Sequence, residues 1–182
     1  MKKLAFLTLL ALAFAVSGCG TGPAPNVVGT AASGFWEAQL IGGTGEASKL
    51  SFVTAFNVVN IGQLDITSFS FFNAGACFAN GVNGSTEAGT ASFTTNTGTD
   101  QVTGSLTYTV TSVIPAGNVL TLTSPNGGLT GTSNGTTTTT GTLSNGIAVG
   151  TWTLTGGQGD PSCVVKQGTF IMCQGKNTCT PP

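Results

Sequence analysis

The stretch QVTGSLTYTVT, Gln101 to Thr111, alternates without a break. Val102, Gly104, Leu106, Tyr108 and Val110 share one face. Gln101, Thr103, Ser105, Thr107, Thr109 and Thr111 share the other. A period of two is that of a β-strand with one face buried and one wetted, here by hydroxyls. Outward from this strand no window shows a helical period. Gly, Asn, Pro and Asp instead divide the chain into stretches of about 7–12 residues rich in Thr, Val, Ile, Phe and Tyr. Further strands are predicted at 34–41, 49–59, 63–72, 87–96, 118–124, 135–143, 147–155 and 164–172. Asn60-Ile61-Gly62 parts the second from the third, and Asn145-Gly146 suits a type I′ hairpin turn between TGTLS and IAVGTWTL. No connection is long enough for a crossover helix, so parallel βαβ units are excluded.

The fold expected is all-β: an antiparallel meander of about 8–9 strands closed into a barrel, with a β-sandwich as the alternative. Charge decides the preference. Only 6% of the 182 residues are charged, whereas 32 are threonine and 28 glycine. Hydroxyls keep such strand faces wet, but few charges remain to guard a long open edge against association. Closing the sheet removes the edge.

Composition also limits chemistry. The chain has no His and no Arg; its five basic residues are Lys2, Lys3, Lys49, Lys166 and Lys176. A Ser-His-Asp triad, a Cys-His pair, a histidine metal site and an arginine phosphate clamp are excluded. A net charge of −1 argues against a nucleic-acid partner, which demands many phosphate-neutralising cations.

The amino terminus reads as an address. Met1-Lys2-Lys3 is a cationic start, and Leu4 to Val16 is apolar apart from Thr8. A run of ~13 residues is short for a membrane span but fits a secretory signal. Val16-Ser17-Gly18-Cys19 then resembles the lipobox of bacterial lipoproteins. That resemblance implies cleavage after residue 18, a diacylglycerol thioether on Cys19, and a membrane partner through the N-terminal lipid, since two or three acyl chains anchor stably. Gly20 in place of an acidic residue leans toward the outer membrane. Residues 1–18 are thus the expected signal peptide, 19–33 a Pro-containing tether, and 34–182 a single β domain.

Four cysteines remain: Cys77, Cys163, Cys173 and Cys179. An even number in an exported chain predicts disulfides, and four allow three pairings. Zinc would want Cys-x2–4-Cys spacing. The preferred pairing is Cys77–Cys163, worth roughly 4 kcal/mol for its long loop, with Cys173–Cys179 clipping the C-terminal tail. No metal and no cofactor is expected.

Gly34-Phe35-Trp36, Gly150-Thr151-Trp152 and Gly168-Thr169-Phe170 repeat one pattern, with Gly104-Ser105-Leu106 and Gly141-Thr142-Leu143 as aliphatic versions. A glycine on a strand face leaves room for a large ring from a neighbour. Gly34-Phe35-Trp36 near the expected mature start is similar to the Gly-x-Trp opening of lipocalins, and the Thr/Gly texture with Gly150-Thr151-Trp152 is similar to that of avidins. Both are calycin-type barrels that hold a small ligand. The resemblance implies a barrel. The first function expected is a lipid-anchored barrel that binds a small apolar ligand or a cell-envelope partner such as an envelope protein, with Trp36, Tyr108, Trp152 and Phe170 as the candidate lining of a ligand cavity. Lipocalins usually add a late Arg and a C-terminal helix, which this chain lacks. As a whole the chain resembles Thr/Gly-rich lipoproteins of environmental bacteria, a likeness that implies no particular activity.

An enzyme is not expected. The six acids are Glu37, Glu46, Asp65, Glu87, Asp100 and Asp160. Two carboxylates can suffice for a glycosidase, but Glu37 alternates with Trp36 and so points away from it. Alternating threonines at 107/109/111, 121/123 and 151/153/155, with the run 136–140, admit a second function: a structural or adhesive surface lipoprotein that works through its hydroxyl faces and has no pocket. Phe69, Phe71, Phe72 and Phe78 form the densest aromatic patch. Phe71 and Phe72 are adjacent, so either one is exposed or a bulge resets the phase.

Overall fold

The computed structural model describes residues 35–59, 62–79, 84–96, 98–133, 143–158, 160–163, 166–175 and 179. The expected signal peptide, Cys19 and the tether lie outside the described residues, as do Gly34, Gly141 and most of the strand predicted at 135–143.

Among the described residues eight strands form: β1 (Phe35–Ile41), β2 (Ser51–Val58), β3 (Leu64–Asn73), β4 (Ser85–Asn96), β5 (Gln101–Ser112), β6 (Val119–Ser133), β7 (Leu143–Thr155) and β8 (Lys166–Gln174). All belong to one antiparallel sheet of order β3-β2-β1-β8-β7-β6-β5-β4. Each strand lies beside its sequence neighbour, and β1 pairs with β8 from Trp36↔Gln174 to Ile41↔Thr169. The sheet therefore curls into a nearly closed up-and-down barrel rather than a sandwich. Its seam falls in mid-chain, between β3 and β4, where Gln63↔Thr90 is the single bridge among the described residues. The unguarded edges thus face each other instead of solvent, which answers the shortage of charge.

Beside the seam, β3 is irregular. Against β2, β3 shifts register twice, between Ser51/Phe52 and between Ala55/Phe56. Each extra residue bends and twists the bulged strand. The same shifts settle the Phe71-Phe72 pair. Phe71 packs inward against the core while Phe72 is 64% exposed.

Two expectations need correction. The sixth strand runs past the predicted 118–124 to Ser133. Asn145-Gly146 lies inside β7 and is not a hairpin turn. Here β6 and β7 slip register: Thr130 faces Ile147 while Thr132 faces Ser144. One residue on β6 thus opposes Asn145 and Gly146 on β7, a bulge. Asn145 takes φ 52°, a left-handed conformation that asparagine tolerates better than most residues. Gly146 is needed for a different reason, because a β-carbon there would collide with the Trp36 ring. The sequence signal for a left-handed residue was real; a bulge used it.

The interior is filled from both ends. Trp36, Phe52, Phe56, Leu106, Tyr108, Leu120, Leu122, Leu129, Trp152, Leu154, Phe170 and Met172 are buried in a single core. At the end carrying the β5–β6 connection, Cys77 is bonded to Cys163, Cα–Cα 5.5 Å. Asn118, fully buried, ties this end together: Nδ2 donates to the Cys77 and Gln158 carbonyls, and Oδ1 accepts from Gln158 N. Nearby, the Ser162 hydroxyl and backbone N–H hold the Asp160 carboxyl below its usual value. Cys173 is bonded to Cys179, also at Cα–Cα 5.5 Å, at the far end of β8. Both bridges match the preferred pairing.

Candidate functional site

The four ring candidates all point into the barrel. Trp36 comes from β1, Tyr108 from β5, Trp152 from β7 and Phe170 from β8, and each is at most 2% exposed. They are spread along the barrel axis. Trp36 lies level with Gln174 and beside Gly146, near one end. Trp152 lies opposite Gly168 and beside Gly43, near the other. Phe170 sits between these levels, facing Gly150 on one side and Leu40 on the other. Trp36 stacks on Phe56 at 5.5 Å, and Phe56 in turn lies 6.2 Å from Tyr108. Tyr108 also stacks on Phe52 at 5.6 Å.

The glycine pattern acts as expected at Gly168. A β-carbon there would come within 2.6 Å of Trp152 Nε1. Trp152 Nε1 donates instead to the Ile41 carbonyl, 3.1 Å away.

Tyr108 is the polar centre of the core. Its hydroxyl lies 2.7 Å from Thr54 Oγ1, which also donates to the Ser68 carbonyl at 3.0 Å. Burial raises the phenol well above its ordinary value, the Thr54 hydrogen bond opposes this, and the charge of Glu87 adds to it. A raised folded value stabilises the fold fully below the unfolded phenol's value of about 10. That contribution is lost as pH rises from there toward the folded value. Tyr108 is the single tyrosine of the chain. Absorbance at the phenolate band during alkaline titration should therefore stay flat past the ordinary tyrosine range and then rise together with unfolding. A phenolate signal with an ordinary midpoint in folded protein would contradict this placement.

The sequence reading missed three groups. Thr54 shares a face with Phe52, Phe56 and Val58 and is fully buried. Glu87 shares a face with Ala91 and Phe93 and is half-buried on the inner side of β4, where Ser85 Oγ donates to its Oε1 at 2.7 Å. Ser112 ends the inner face of β5, is 3% exposed, and its hydroxyl has no hydrogen-bond partner. Strand parity carried the signal for all three. Glu37, by contrast, lies on the outer side, where Gln39 Nε2 donates to it at 2.9 Å.

The outer surface is more regular than the sequence revealed. Thr90 pairs with Thr107, Thr107 with Thr123, Thr123 with Thr151 and Thr151 with Thr169. One transverse row of five threonines thus crosses β4 to β8 in unbroken register. Beside it run Thr109, Thr121 and Thr153, again paired directly. Neighbouring hydroxyls along a row stand about 4.8 Å apart and alternate residues along a strand about 6.7 Å apart.

Fold and surface together define the described residues as an eight-stranded, nearly closed up-and-down barrel with a buried aromatic core and a threonine-coated wall. Compared with protein-family models, curated proteins and solved structures, the chain matches none.

Proposed function

We propose that the protein is an exported lipoprotein, anchored through Cys19 at the bacterial envelope with the outer membrane favoured, and that its working surface is the outside of the barrel. The row Thr90–Thr107–Thr123–Thr151–Thr169 is the observation that carries this reading. An uncharged lattice of hydroxyls and methyls suits a neutral, hydroxyl-rich envelope partner, to which it offers many weak hydrogen bonds at once. Curvature narrows the partner further. The row wraps five of eight strands, so a flat crystalline plane would meet only two or three of them, whereas a flexible polymer could follow the wall. The two disulfides fit an oxidising compartment. The four interior rings, spread along the axis and packed on their neighbours, favour this reading over a cup for a small apolar ligand.

Fractionation tests both halves. Cys19→Ala should leave the membrane fraction, and undiminished membrane association would count against the lipid. The released protein should still co-sediment with detergent-stripped cell-wall material, which holds no membrane. Thr107→Glu combined with Thr151→Glu should abolish that co-sedimentation, and an unchanged pellet would remove the hydroxyl face from consideration.

A further inference from the structure

We propose that the inner wall of β4 and β5, beside the incomplete seam, is a binding site for a small organic ammonium ion. The site lies at the seam, where Glu87 is half-buried, and is independent of the outer hydroxyl surface. Its polar groups are set by register. Ser85 faces Ser112, Glu87 faces Val110 and Gly89 faces Tyr108. Ser85, Glu87, Ser112 and Tyr108 therefore share one inward patch, with Glu87 diagonally between Ser112 and Tyr108.

Two observations point to a missing partner. Glu87 receives one hydrogen bond, from Ser85, while a carboxylate offers about four acceptor sites. Among the described residues the one ion pair is Lys49–Glu46, so no cation there answers Glu87. Ser112 adds an independent sign, since its buried hydroxyl has no partner at all and such groups are uncommon in folded proteins.

The surroundings select the ligand. Tyr108 stacks on Phe52, Phe52 lies 5.1 Å from Phe69, Phe69 lies 4.9 Å from Phe71 and Phe71 lies 5.0 Å from Phe78. A carboxylate and a free hydroxyl beside a chain of aromatic rings suit a protonated amine with an apolar body. Its N–H groups would donate to Glu87 and Ser112, and ring faces attract cations. Access is lateral. Below the Gln63↔Thr90 bridge, β3 and β4 form no ladder among the described residues, and the half-buried Phe69 and Phe71 flank that stretch.

The test uses full-length protein in a non-ionic detergent, titrated with benzylammonium and, separately, with benzyl alcohol, and followed by amide NMR shifts. Saturable shifts confined to 85–89 and 108–112 are expected for the amine and not for the alcohol. Glu87→Gln should weaken amine binding at least about tenfold, as for loss of a charged hydrogen bond. Ser112→Ala removes an unpartnered hydroxyl, so it should fold as well as the parent while binding the amine more weakly. It keeps the test decisive if Glu87→Gln fails to fold. Absence of saturable shifts overturns the proposal. So does equal binding of the alcohol, or undiminished amine affinity in either folded variant; the patch would then be a structural polar cluster only.

Discussion

Replacing Cys77 and Cys163 together by alanine is expected to lower stability by about 4 kcal/mol, seen as a fall in the denaturation midpoint. The cysteines lie 86 residues apart, so the bridge removes much freedom from the unfolded chain, and that freedom returns when it is cut. Both are fully buried, so alanine leaves no polar group stranded. The position magnifies the effect. Cys77 belongs to the connection between β3 and β4, the two strands of the seam, and Cys163 to the connection between β7 and β8. The bridge thus fastens the least-paired part of the wall to a fully paired part. Asn118 holds the Cys77 carbonyl from a third direction. Cys173–Cys179 supplies the comparison. It closes a separation of only six residues, for which the same chain-entropy reasoning gives about 2 kcal/mol. Equal losses from the two double variants would show that loop length is not what makes the first bridge matter.

The parts of this fold that could be read from the sequence are those with local causes. Strict alternation at Gln101–Thr111 appears as a strand of the same phase, buried on the Val102–Val110 face. Of the three possible disulfide pairings the preferred one, a long loop with a short terminal clip, is the one that forms. Glycine before a large ring predicted close approach, and Gly168 beneath Trp152 has it. Relations between distant strands were not legible. The five-threonine row depends on four separate registers agreeing, and no one strand carries that information. The two bulges in β3 leave only faint traces in the sequence, the adjacency of Phe71 and Phe72 and the three-residue step from Ile66 to Phe69. Asn145-Gly146 misled because a hairpin and a bulge both call for a left-handed residue, and only the pairing partner tells them apart. Glu87 and Thr54 were overlooked for another reason. A polar side chain on an apolar face is visible by parity, but the expectation of a wetted face makes it easy to pass over.

Trp152→Ala should cost about 3–5 kcal/mol, the range for removing a large aromatic from a packed core. Trp152 is fully buried. Its ring fills the space left by two glycines, Gly43 and Gly168, where β-carbons would come within 3 Å of ring atoms. Its indole N–H is satisfied by the Ile41 carbonyl, so truncation also leaves that carbonyl short of a partner. Neighbouring backbone cannot collapse far into the hole, because β7 is held in register on both sides, by β6 at Leu122 and by β8 at Gly168. Thr153→Ala, one residue along and exposed on the outer face, is the control and should stay within about 0.5 kcal/mol. The size of the difference bears on function as well as on folding. A ring packed on all sides forfeits both its transfer free energy and the contacts around the cavity. A ring that lines an open ligand cavity forfeits much less, since water or ligand already occupies one side. Urea denaturation giving a loss below about 1 kcal/mol would therefore return Trp152 to the lining of a ligand cavity, while a loss in the full range shows that its ring is packed on all sides and lines none.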